Sequence, residues 1–169
     1  MMARKSPPPL PKLKQLLNYD PQTGLFTWLV NRGRNGNGAK AGDAAGYIDK
    51  TTGYVKIHVD GYYGLGHRLA WYFMTGENPD VIDHINRIRH DNRFINLRTC
   101  RMQENLWNLS TSPRSKSGVR NVSWCAAKSK WQICLKKDGK SIHFGYVEDL
   151  ELADPVAKSA REKYFGEFA

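Results

Sequence analysis

The 169-residue chain carries 26 Lys and Arg against 16 Asp and Glu, a net charge of +10, and 40% of its residues are hydrophobic. That apolar share is enough for a folded core and excludes a wholly disordered chain, while no run approaches the roughly 18 apolar residues of a membrane helix. Positive charge in this excess points to a polyanionic partner.

The opening MMARKSPPPLPKLKQLL is basic and lacks the apolar stretch of a secretion signal, so an intracellular, cytoplasmic location is expected. Residues 1–11 read as a flexible tail, because the prolines at 7–9 favour an extended polyproline conformation. Residues 12–18 are expected to form a short helix. YDPQTGLFTW (19–28) predicts a turn leading into a strand that ends near Trp28. NRGRNGNGAKAG (31–42) has the composition of a loop. Val55, Ile57 and Val59 then alternate with Lys56, His58 and Asp60, and Asp60-Gly61 signals a hairpin whose return strand is Tyr62–Leu65. HRLAWYFMTG (67–76) predicts a helix stopped by Gly76, whose Leu69, Trp71, Phe73 and Met74 need packing partners. Residues 80–97 read as a strand and an extended return around a basic loop, and Thr99 as the N-cap of a helix through about Leu109. STSPRSKSG (110–118) reads as a linker, which divides the chain into residues 12–110 and 111–169. In the last third, Asp138-Gly139 joins two apolar-rich strands within a three-stranded sheet, followed by one helix. Pro155 fits that helix only if Asp154 is its N-cap or if the helix is kinked. Cys100, Cys125 and Cys134 form no C-x-x-C pair, which argues against a structural zinc site or a disulfide framework.

Chemistry concentrates in IDHINRIRHDNRFINLR (82–98). A site that hydrolyses a phosphodiester needs a hard oxygen ligand for a divalent ion, which Asp83 supplies. It needs a base active near pH 7, which a neutral His84 supplies. Neighbouring side chains on a flat strand face opposite ways, so the pair requires a strand end or a bend. Asn105 follows Asp83 by 22 residues, on the predicted helix, where its amide oxygen can join Asp83 on one metal. Magnesium suits so small a set of protein ligands, and manganese accepts the same oxygens. Asn96 falls in the loop, where its amide can tie the backbone and orient the base. Arg87, Arg89, Arg93 and Arg98 are candidates for the flanking phosphates. His90, His58 and His143 read as surface or structural residues, and His67 as a capping or packing residue.

Residues 82–108, IDHINRIRHDNRFINLRTCRMQENLWN, resemble the HNH motif of phage and group I intron homing endonucleases, and HRLAWYFMTGENP resembles its lead-in. The resemblance implies a ββα-metal core over about residues 80–109. It implies Asp83 and Asn105 as metal ligands, His84 as general base and Asn96 as the central structural asparagine. Asn105 stands where many members carry histidine. The reaction so implied is attack of a His84-activated water on the phosphorus, leaving a 5′-phosphate and a 3′-hydroxyl.

Residues 111–140 hold eight Lys or Arg and one acid, interleaved with aromatic residues. SGVRNVSWCAAKSKWQICLKKDGKSIHFGYVEDLELA, with YFGEFA at the end, resembles the Apetala/ethylene-response-factor DNA-binding domain, a three-stranded sheet backed by a helix. It departs from that pattern at Pro155 and at the apolar Cys125-Ala126-Ala127 turn. The resemblance implies DNA contacts by Arg114, Arg120, Trp124, Lys130, Trp131 and Lys136, with Trp131 also a core candidate. The expected fold is therefore α+β, a ββα-metal nuclease domain plus a small three-stranded antiparallel sheet packed on one helix. The expected partner is double-stranded DNA, with no membrane partner, for a phage-encoded monomer (a dimer being the alternative). A DNA-binding protein that does not cut and an RNA-binding accessory are the rival readings.

Overall fold

The computed structural model describes residues 6–33, 38–109, 111–112 and 114–169. The basic loop residues 34–37 and the tail residues 1–5 lie outside them. The chain separates into two compact units, residues 1–99 and 100–169. Both are mixed α+β. The division by compactness falls before the Ser/Thr/Pro/Gly-rich 110–118 segment, so the short helix after Thr99 packs with the C-terminal unit.

In the first unit, α1 spans Leu10–Leu16. It starts two residues before the expected position because Pro11 sits in the first turn, where the missing N–H had no partner to lose. The chain then extends into β1 (Leu17–Tyr19), which pairs antiparallel with β2 (Phe26–Trp28). The connecting turn is held by Asp20, whose Oδ1 accepts the Gln22 N–H at 2.8 Å and whose carbonyl accepts the Gly24 N–H at 2.8 Å. β3 (Tyr47–Ile48), β4 (Val55–Val59) and β5 (Tyr62–Leu65) form a three-stranded antiparallel sheet in that order. Asp60 and Gly61 take positive φ values of 49° and 70°, the pair of left-handed residues that a two-residue hairpin of this twist requires.

α2 (Gly66–Thr75) ends at Gly76, whose φ of 75° lets its N–H reach the Tyr72 carbonyl at 2.9 Å. Leu69 and Ala70 are buried, Trp71 and Phe73 pack against the same core, and Met74 is exposed instead of packed. The core gathers Leu13, Leu17, Phe26, Ile57, Val59 and Leu69 with Ile82 and Leu97. Those last two lie on β6 (Ile82–His84) and β7 (Leu97–Thr99), a two-stranded antiparallel pair reached through a 3₁₀ turn at Phe94–Asn96. Thr99 is thus a strand residue opposite Ile82 and not a helix cap.

In the second unit, α3 spans Met102–Trp107 with Arg101 at the N-cap, where the Arg101 N–H donates to Glu104 Oε2 at 2.7 Å. The acid three residues into the helix satisfies the cap amide, a job that Thr99 was expected to do. β8 (Val122–Cys125), β9 (Lys130–Lys137) and β10 (Lys140–Val147) form an antiparallel sheet with β9 central. Asp138 and Gly139 make its hairpin turn, again at positive φ. α4 (Leu150–Phe165) lays Ala153, Ala157 and Ala160 on the sheet, small residues at helical spacing that permit a close approach. Asp149 is the N-cap, so neither a late start nor Asp154 as cap is adopted: Pro155 lies inside the helix, on its exposed side. It removes the bond its N–H would give to the Glu151 carbonyl. Pro155→Ala is expected to stabilise the protein by about 1–3 kcal/mol, read as a rise in the urea midpoint. Among the described residues no helix is long and apolar enough to cross a membrane.

Candidate active site

Ile82, Asp83 and His84 are all buried on β6. The strand register sets Asp83 directly opposite Arg98. The Arg98 guanidinium closes on Asp83 Oδ2, from Nε at 2.9 Å and from Nη2 at 2.8 Å. The two side chains are only 12% and 7% exposed. Burial of either charge without the other would be costly, so the ion pair is a condition of placing a carboxylate here.

His84, one residue on, faces the other way. Its ring lies 4.9 Å from that of His67, edge to face at 72°, and 5.9 Å from that of Tyr54. Its Nε2 is 3.4 Å from Asn92 Oδ1. His84 is 4% exposed, His67 6% and Asn92 2%. Burial pushes the His84 pKa below the ordinary histidine value, outweighing the Asn92 contact and the nearby Asp83 charge that oppose it. The imidazole is therefore neutral near pH 7. A neutral imidazole keeps one ring nitrogen with a lone pair able to take a proton.

The loop between β6 and β7 is knit by side chains. Asn96 Oδ1 accepts the Asn86 N–H at 2.9 Å, and its Nδ2 donates to the Asp91 carbonyl at 2.8 Å. Asn86 donates to Asp91 Oδ2 at 2.6 Å, and Arg93 grips the same carboxylate from Nε at 2.8 Å and Nη2 at 2.5 Å. Arg93 accordingly holds the Asp91 carboxyl at about 2. From outside, the Tyr19 hydroxyl donates to the Asn92 carbonyl at 2.8 Å and the Phe94 N–H donates to the Pro21 carbonyl at 3.0 Å. Asn96→Ala is expected to cost about 1–3 kcal/mol, because it strands one amide and one carbonyl of this loop; a thermal melt measures it.

Of the four loop arginines, Arg87, Arg89 and Arg93 are exposed, and Arg98 turns inward onto Asp83. Arg89 donates to the Thr52 carbonyl at 2.9 Å and lies 5.2 Å over the Tyr54 ring. His90 is exposed, and His58 stacks on Tyr63 at the surface. Asn105 sits on α3 of the C-terminal unit, half-buried, with its N–H bonded to the Arg101 carbonyl at 3.0 Å. Among the described residues no group of three or more His, Cys, Asp or Glu could hold a metal ion. Asp83 offers a carboxylate and Asn105 a carboxamide, hard oxygens of the kind that suit magnesium or manganese. Tyr54, His67 and Asn92 stand around the His84 ring without having been assigned to it from the sequence. His67 and Asn92 each lie within 17 residues of His84, but nothing in their spacing fixes which way a side chain turns.

The C-terminal sheet has two unlike faces. Val122 pairs with Ile133 and Trp124 with Trp131, so all four share the face that meets α4. Trp131 packs on that core, and Trp124 lies against it at 5.1 Å, 47% exposed. The other face carries Lys130 and Lys136 together with Gln132, His143 and Tyr146. Gln132 contacts His143, and the Lys128 ammonium sits 4.0 Å over the Tyr146 ring. Arg120 instead turns to the Trp107 carbonyl, while Arg114 is exposed.

Residues 65–106 match the family model described as HNH endonuclease. Over 105 residues the chain is 30% identical to Protein 3.8 of Escherichia phage T7, across 61% of this chain and 86% of that protein. The chain carries an HNH-family nuclease domain. It is also 31% identical over 114 residues to the uncharacterized HNH endonuclease L560 of Acanthamoeba polyphaga mimivirus, covering 63% of this chain and 58% of that protein. No solved structure matches the chain significantly. The matched HNH segment contains His67, Asp83, His84, Asn92, Asn96 and Asn105.

Proposed function

We propose that the protein is a metal-dependent, homing-type HNH endonuclease that hydrolyses phosphodiester bonds of double-stranded DNA. The observation that carries this reading is the buried His84 that ends β6 one residue after the buried Asp83, within the HNH segment. In this reading β6, β7 and α3 are the ββα-metal core. His84 takes the proton of the attacking water. Asn92 and Asn96 hold the imidazole and its loop in place. Asp83 and Asn105 are the residues that would hold magnesium or manganese, which when bound supplies charge stabilisation at the phosphorus and the leaving oxygen. The exposed Arg87, Arg89 and Arg93 would meet flanking phosphates. The C-terminal unit, in its resemblance to Apetala/ethylene-response-factor domains, would grip the DNA through the sheet face bearing Lys130, Gln132, Lys136, His143 and Tyr146, with the exposed Arg114 as a further contact.

The test is incubation of supercoiled plasmid carrying a phage or host locus with the protein in Mg²⁺, in Mn²⁺ and in EDTA. Nicked or linear product in the two metals and none in EDTA is expected. Salt-sensitive DNA binding with no cleavage in any metal would replace this reading with that of a DNA-binding protein that does not cut.

A further inference from the structure

Arg98 is the one loop arginine that does not face solvent, and it is spent on the proposed metal ligand. Its Nε at 2.9 Å and its Nη2 at 2.8 Å both donate to Asp83 Oδ2. The pair is cross-strand, in register and almost closed to water. A divalent cation brought to that carboxylate would stand beside an established positive charge in a poorly screened place. From this geometry we infer that Arg98 is an internal counter-ion that competes with the divalent metal for Asp83 and, once displaced, is handed to a DNA phosphate. This rests on the reading of Asp83 as a metal ligand.

The physical logic has two halves. Without metal, the guanidinium keeps Asp83 oriented and paired, so the buried carboxylate has a counter-charge. When metal takes the carboxylate, the guanidinium gives up these two bonds and can turn to another anion. Its planar fork fits a phosphate as well as it fits a carboxylate. Metal binding and DNA binding are then coupled through one side chain, and by linkage each strengthens the other by the same factor.

The experiment measures Mn²⁺ affinity of the full chain without DNA, by calorimetry, in wild type, Arg98→Gln, Arg98→Lys and Asp83→Asn. Arg98→Gln retains a hydrogen-bond donor to Asp83 while removing the competing charge, and circular dichroism checks its fold. The expected result is at least roughly tenfold tighter Mn²⁺ binding in Arg98→Gln, a smaller change in Arg98→Lys, and loss in Asp83→Asn. A second readout is the salt dependence of duplex binding. Arg98→Gln should reduce the slope by about one in Mn²⁺ and leave it unchanged in EDTA, where the arginine is still held by Asp83. Mn²⁺ binding that is equal or weaker in Arg98→Gln than in wild type overturns the competition and leaves the metal reading of Asp83 intact. A slope in Mn²⁺ that does not change overturns the hand-over to phosphate. Absence of Mn²⁺ binding in wild type and both Arg98 variants overturns this inference and the metal site together.

Discussion

Replacing His84 with alanine is expected to lower the rate of plasmid cleavage by about 10²–10⁴-fold, the range for loss of a positioned general base. The argument is local. The ring is held between His67, Tyr54 and Asn92, which fix it in place. Duplex affinity should change little, because the exposed Arg87, Arg89 and Arg93 and the basic sheet face of the C-terminal unit remain. The informative comparison is therefore single-turnover cleavage beside equilibrium binding on the same DNA. A His84→Ala protein that binds and still cuts at the wild-type rate would remove His84 from the base role.

Gly24→Ala is expected to destabilise the protein by about 2–4 kcal/mol, combining left-handed backbone strain with a forced displacement of packed chain. Gly24 has φ of 74°, and a Cβ there would lie 2.4 Å from the Arg93 amide nitrogen and 2.6 Å from the Asn92 carbonyl carbon. Both neighbours are backbone, which cannot swing aside as a flexible side-chain tip could. They also belong to the loop that presents Asn92 to His84, so the same change should slow cleavage even at temperatures where the fold survives. Urea denaturation gives the first effect and cleavage well below the melting point gives the second. Wild-type values in both would show that the turn and the loop are not in contact in solution.

Local signals carried much of the fold. Asp60-Gly61 and Asp138-Gly139 marked their hairpins because a tight turn of that hand needs residues that tolerate positive φ. Gly76 marked the end of α2 for the same reason. The helix starts were less legible. Arg101 is a poor cap by side chain, and the deciding contact is made by Glu104, three residues downstream. Pro155 argued for a late start of α4, but the alanine stripe packed on the sheet extends the helix through it. At the candidate site, the spacing of Asp83, His84, Asn96 and Asn105 was visible because a motif is a linear pattern. The surroundings of His84 were not, because Tyr54 and Asn92 come to it through tertiary contacts that no periodicity encodes. The inward turn of Arg98 was hidden likewise. It depends on the register of β6 with β7, and a one-residue slip would have sent that arginine to the other face.

The contacts of Tyr19 and Pro21 with residues 92–94 bear on how such a motif can travel between proteins. The segment that identifies the family, residues 65–106, excludes both of those partners, as well as Tyr54 and Gly24. What is recognisable in the sequence is thus smaller than what holds its own shape. A graft of the motif alone onto a foreign scaffold would inherit the chemical groups but not the outside wall against which their loop is set. Moving the His84 loop intact means moving the N-terminal unit from β1 onward, so that Tyr19 and Pro21 come with it.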